Sequence, residues 1–304
     1  MSGPIDQFKQ AIEAAGLKPP DVVHDDGAIH RFATSGRRGD DSGWYSLHTD
    51  GIPSGSFGCW REGLQSTWCA KSDTAMTAAE LDTHRQRIAA MKAQRDAELI
   101  QRQQSAATDA AQRLAAATPC TQHAYLTTKG VQAHGVKVDS AGSLIVPMRD
   151  TAGKLRSLQT ITPTGDKRFL FGGLVKGCYH SIGKKPEIVL IVGEGYATCA
   201  SLHEATGHPV VVAFNAGNLE PVAVALRSKY PHLQIIVAAD DDHLTAGNPG
   251  MTKARAAALA VGGFVAKPQF PAVRGDKDTD FNDLYKLAGA AAVNACISEI
   301  EEFA

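Results

Sequence analysis

At 304 residues the chain is longer than one hydrophobic core usually grows, so two or three folded units are expected. Its 43% hydrophobic and 21% charged residues match ordinary globular usage and exclude wholesale disorder, and no run approaches the ~18 apolar residues of a membrane span. The net charge of −1 hides an asymmetry: residues 119–185 hold ten Lys/Arg against three Asp/Glu, and residues 186–304 hold eight against fourteen.

The N-terminal MSGPIDQFKQAIEAAG lacks the basic-then-apolar order of a secretory signal, so the cytoplasm is the expected compartment, with no membrane partner. Residues 1–72 open on a helix from Ile5 to Ala15. They continue into short aromatic runs broken by Asp50-Gly51 and Pro53-Ser54-Gly55, which predict a small antiparallel sheet. Of the six cysteines, Cys59 and Cys69 fall here, and no two in the chain show the short spacing of a zinc ribbon. Residues 73–118 are Ala-, Gln- and Arg-rich, with no Gly or Pro before Pro119, so a connecting helix capped by Ser72 or Asp73 is expected.

Residues 119–185 are β-like, with SLIVPMRD, KLRSLQTIT and KRFLFGG separated by the turns Ala152-Gly153 and Thr164-Gly165. From 186 to 272 the rhythm changes. EIVLIVGEG, HPVVVAFNAG, LQIIVAADDD and GFVAKPQF are continuous apolar runs, and the intervals YATCASLHEAT, LEPVAVALRSKY and MTKARAAALAVGG read as helices. Apolar strands alternating with helices predict a parallel sheet covered on both faces. Residues 273–304 close with an acidic motif, DKDTDFNDLYKLAG, and a helix.

Open parallel sheets bind ligands beyond the carboxyl ends of their strands. One strand here ends in Gly193-Glu194-Gly195 and another in Asp240-Asp241-Asp242, so acids from two strands are expected on that edge. Alternation along an extended segment turns Asp240 and Asp242 the same way and Asp241 elsewhere. Clustered carboxylates repel unless cations neutralise them, and hard oxygen ligands suit Mg2+ or Mn2+. The bland alternative is a solvated turn or a helix cap. Asp280, near Asp278 and Asp283, divides in the same way between a cap for the last helix and an additional metal ligand.

EGYATCASLHEATG, VVVAFNAGNL, AADDD, NPG and TDFNDL, in that order, resemble the Toprim domain of plasmid conjugative and satellite-phage primases. YLTTKG, GSLIVPMRDTAGKLRSLQTI and GDKRFLFGGLVKG resemble the upstream half of the same core, so the likeness spans roughly 120 to 284. It implies an α/β fold, α+β overall: a Toprim sheet flanked by helices, after a β-rich primase subdomain and a small N-terminal β unit joined by a long helix. It also implies metal held by Glu194, Asp240 and Asp242, with Lys167 and Arg168 matching the family's basic pair and Asn215 and Asn218 its Asn-containing strand-end loop. The N-terminal unit departs from the zinc ribbon of replicative primases; a metal-free relic or an unrelated small sheet is expected, and no zinc.

The implied activity is the synthesis of short RNA primers on a single-stranded DNA template from nucleoside triphosphates, for a phage, plasmid or other mobile element. No G-x-x-x-x-G-K-[ST] is present, so unwinding is expected from a separate helicase. Lys154, Arg156, Lys167, Arg168 and Lys176 are candidates to hold triphosphate or template. Trp44, Trp60 and Trp68, among Arg37, Arg38, Arg61 and Lys71, suit either a base-stacking platform or a core. The competing functions are a Toprim nuclease using the same acids on water, and a nucleic-acid-binding module with an inert cluster.

Overall fold

The computed structural model describes residues 3–34, 39–71 and 77–302. Arg37, Arg38 and the expected cap at Ser72 or Asp73 lie outside the described residues. The chain divides into two compact units, 1–96 and 97–304, and the division falls inside a helix.

In the first unit, helix α1 (Pro4–Ala14) covers an antiparallel sheet of β1 (His30–Phe32), β2 (Gly43–His48), β3 (Ser54–Cys59) and β4 (Leu64–Cys69) in chain order. Pro4 opens α1, where its missing N–H costs nothing, and Phe8 and Ile12, one turn apart, are its buried face. Phe8 meets Tyr45, Phe57 and Trp68 edge-on. Gly55 permits that approach, since a Cβ there would lie 2.7 Å from the Phe8 ring. Cys59 pairs with Leu64 and Cys69 with Ser54, so the two thiols occupy opposite ends of the β3–β4 hairpin. Helix α2 (Ala78–Ala116) follows, with Ile88 and Leu99 exposed, as its thin apolar stripe implies.

The second unit holds two sheets. The first is antiparallel, in the order β5 (Thr118–Pro119), β6 (Lys137–Val138), β7 (Leu144–Arg149), β8 (Leu155–Ile161) and β9 (Lys167–Phe169), with α3 (Ala124–Lys129) inserted after β5. The second contains β10 (His180–Ile182), β11 (Val189–Gly193), β12 (Val210–Val212), β13 (Gln234–Ala238), β14 (Phe264–Ala266) and β15 (Glu301–Glu302). Their order is β10-β12-β11-β13-β14-β15, parallel through the four central strands and antiparallel at both edges. Helices α4 (Tyr196–Thr206), α5 (Leu219–Lys229), α6 (Pro249–Val261) and α7 (Phe281–Ser298) complete it.

Both faces of this sheet are buried, which is why its strands read as unbroken apolar runs. Ile191, Val212 and Ile236 enter one core with Tyr196, Ala200 and Phe281 from α4 and α7. Their neighbours Leu190, Val192, Val211 and Val237 enter a second core with Leu226 and Ala254 from α5 and α6. This is the mixed α/β architecture expected from the sequence. One local feature was not expected: Gly289, at φ 77°, kinks α7.

Candidate active site

Glu194 follows the last residue of β11, and Gly195 caps α4. Gly193 is required there because a Cβ would lie 2.8 Å from the Cys199 sulfur. The Glu194 carbonyl accepts from the Phe214 N–H at 2.8 Å, joining the ends of β11 and β12. Phe214 has φ 74°, a conformation L residues rarely adopt. Burial raises the Glu194 pKa above the ordinary carboxylate value and Asp242 adds to it, while Lys167 and the Ala216 N–H act in the opposite direction.

Asp240 lies just past β13, and its Oδ1 is buried without a hydrogen-bond partner. Burial pushes its pKa well up, reinforced by the charges of Asp280, Glu194 and Asp242. Asp242 is anchored instead to α6: its Oδ2 accepts from the Gly250 N–H at 2.9 Å, and its own N–H donates to Asn248 Oδ1 at 3.0 Å. Asp241 turns to Arg274, 2.7 Å away, and to the Asn248 amide, also at 2.7 Å. Burial alone would raise the Asp241 pKa, but these partners together bring it below its ordinary value.

Asp280 caps α7. Its Oδ1 accepts from the N–H groups of Asn282 and Asp283 at 2.8 and 2.9 Å, and its Oδ2 from Thr198 at 2.9 Å. Asn282 fastens the same helix end to Ser201 and to the Lys129 carbonyl. Both Asp280 oxygens are therefore engaged, although its charge still reaches Asp240 and Glu194.

The expected basic residues separate. A Cβ on Gly195 would lie 3.7 Å from Lys167 Nζ, so this ammonium group sits beside the acidic strand end. Arg168 is the next residue of β9 and alternation directs it to the opposite face; Phe169, on the Lys167 side, meets Phe214 at 6.2 Å between ring centroids. Arg156 is bound to Asp150 at 2.6 Å. Lys154 and Lys176 are exposed, and among the described residues no hydrogen bond or ion pair joins their side chains to the cluster.

Asn215 begins the turn whose Ala216 N–H faces Glu194. Asn218, expected in the same loop, is 3% exposed, and its side-chain amide is engaged by the backbone. Its Nδ2 donates to the Cys178 and Ala213 carbonyls at 3.0 and 2.8 Å, and its Oδ1 accepts from the Gly177 N–H at 2.8 Å. Asn218→Ala is expected to cost about 2–4 kcal/mol, because it strands buried backbone groups. Denaturant unfolding checks this, and nucleotide affinity of the folded variant should be unchanged.

Among the described residues, no three His, Cys, Asp or Glu side chains converge as a ready metal-ligand set. The donor chemistry nevertheless fits a hard cation: the cluster offers only carboxylate oxygens, and Asp240 Oδ1 lacks any other partner. Arg274 escaped the sequence reading, while Asn248, Gly250 and Thr198 entered it only as members of the runs NPG and EGYATCASLHEATG, with no role assigned to them.

Residues 189–291 match the model of the Toprim domain, and Glu194, Asp240, Asp242 and Asp280 all fall within the matched span. The chain is 38% identical over 282 residues to a DNA primase TraC of Escherichia coli, covering 88% of this chain and 26% of the relative. It is 37% identical over 284 residues to another DNA primase TraC of Escherichia coli, covering 88% of this chain and 20% of that relative. The chain thus spans about a quarter or less of the curated relatives' length. The zinc-binding and RNA polymerase domains of the Aquifex aeolicus primase align over 100% of this chain and 87% of theirs, at 14% identity and a TM-score of 0.46.

Proposed function

We propose that this chain carries the catalytic core of a DNA primase, which makes short RNA primers on single-stranded DNA for a plasmid, phage or other mobile element. The observation that carries the reading is the buried, partnerless Asp240 oxygen among Glu194, Asp242 and Lys167 at the carboxyl edge of a Toprim sheet. The resemblance to the TraC primases supports it.

Glu194, Asp240 and Asp242 are the residues to hold Mg2+ or Mn2+, with Asp280 adding charge from its capping position. A divalent cation bound there would neutralise phosphate charge and acidify the attacking 3′-hydroxyl. Lys167 opposes the negative cluster and is placed to hold triphosphate oxygens. The Gly250 N–H fixes Asp242, and Arg274 draws Asp241 out of the group. Template and nucleoside triphosphates are the proposed partners, with a separate helicase. The proposed location is cytoplasmic; no described helix is long and apolar enough to cross a membrane. No role is assigned to zinc, since Cys59 and Cys69 stand at opposite ends of their hairpin.

Incubation with single-stranded DNA, labelled nucleotides and Mg2+ should give a ladder of lengthening oligomers that chelation abolishes. Shortened DNA would identify a nuclease, and the absence of both products despite metal binding would leave a binding module. Lys167→Ala should weaken nucleotide binding about tenfold or more, the scale of a charge-assisted hydrogen bond, whereas Arg168→Ala should change it by less than about twofold. Fluorescent-nucleotide titration separates them; equal losses would restore the two residues to a single pair.

A further inference from the structure

Beside the edge strand β10 the second unit opens into two adjoining clefts, of about 320 and 160 Å³, which share Tyr179 and Ser181 in their walls. Pro209, in the wall of the smaller one, immediately precedes β12, so this cleft lies at the amino edge of the sheet. Glu194 and Asp240 follow strand ends at the opposite edge. Arg149 and Lys229 line the larger cleft, and neutral groups fix both in place. Arg149 and Tyr179 exchange backbone hydrogen bonds, each at 2.9 Å, where the antiparallel sheet meets β10. Arg149 Nη1 donates to the Gly153 carbonyl at 3.0 Å and Lys229 Nζ to the Thr151 carbonyl, so one turn tethers both side chains. A carbonyl orients such a group without cancelling its charge and leaves it donors for a ligand.

The acid of that turn, Asp150, also lines the larger cleft, but Arg156 binds its carboxylate at 2.6 Å. Lys184 and Lys185 add two more positive charges in the adjoining wall. Four cations thus line the two clefts with one carboxylate, and that carboxylate already has a partner outside them. An anion relieves repulsion between cations held in this way, and phosphate oxygens accept from guanidinium and ammonium groups alike. The smaller cleft contributes Ile182, Leu226 and Tyr230. A bare phosphate has no use for such a wall, whereas a planar base does.

We propose that the paired clefts form a second nucleotide site, away from the acidic cluster, in which Arg149 and Lys229 hold the phosphates of a nucleoside diphosphate or triphosphate and the base occupies the apolar cleft. The inference does not rest on primer synthesis. Fluorescent ADP is titrated into the full chain carrying Lys167→Ala, in chelator, so that the carboxyl-edge site has neither a cation nor its ammonium group. Arg149→Ala and Lys229→Ala should each weaken binding about tenfold or more, the scale of a charge-assisted hydrogen bond. Ser181→Phe, at an exposed position of β10 that borders both clefts, keeps every charge and tether and should weaken binding at least as much. Pyrophosphate should compete about tenfold more weakly than unlabelled ADP. Unchanged affinity in any one of the three folded variants, or no binding up to about 1 mM nucleotide, overturns the proposal. So does equal competition by pyrophosphate, which would leave the base no role, or by oligo(dT) of about 15 nucleotides, which would mark a path for a nucleic-acid backbone.

Discussion

Asp240→Asn should lower primer synthesis by at least about 100-fold while leaving the melting temperature unchanged or higher. Asp240 makes no hydrogen bond through Oδ1, and like charges surround it, so the substitution removes repulsion without removing a structural contact. Asp242 is a poorer test, because its carboxylate also holds the Gly250 N–H. The pH dependence follows from the raised pKa. Between the ordinary carboxylate value and the raised native value, the folded metal-free protein keeps a proton that the unfolded chain has released. Its stability therefore falls as pH rises through that window, and Glu194 acts in the same direction. Melting curves in chelator should show a smaller fall for Asp240→Asn. A large loss of stability, or near-wild-type synthesis, would remove Asp240 from the proposed site.

Gly250→Ala should damage both stability and synthesis. In an ordinary first turn of a helix, alanine would be favoured by up to ~1 kcal/mol. Here the new Cβ would lie 2.4 Å from the Asp240 carbonyl oxygen and 3.0 Å from its carbonyl carbon, and both are backbone atoms that cannot rotate away. Overpacking of this kind costs about 1–3 kcal/mol and exceeds the propensity gain. A reacting group displaced by about 1 Å can lose about 100-fold in rate. Thermal unfolding and the primer ladder measure the two effects; unchanged synthesis would show that the position of Asp240 is not fixed through α6.

The parallel sheet was legible because its strands are buried on both faces: Val189 to Val192 and Ile235 to Val237 announce themselves without alternation. Strand ends then place Glu194 and Asp240 on one edge from topology alone. Partnerships across long stretches of sequence were not legible. Nothing near Asp241 signals Arg274, and nothing near Asn218 signals that Gly177 and Cys178 occupy its amide. The difference between Lys167 and Arg168 was available from strand alternation but was masked by their adjacency. Asp280 combines a cap that local sequence suggests with a bond to Thr198 that only the fold supplies.

The contact of Phe169 with Phe214 has a consequence for ionic strength. It joins the hairpin carrying Lys167 to the loop whose backbone holds Glu194, through rings and not charges. Dissolved salt screens exposed charges over about 10 Å at 0.1 M but leaves apolar contact largely intact. Raising salt should thus release a phosphate ligand while the cation and carboxylate sides keep their spacing, so that dilution restores binding without a slow structural recovery.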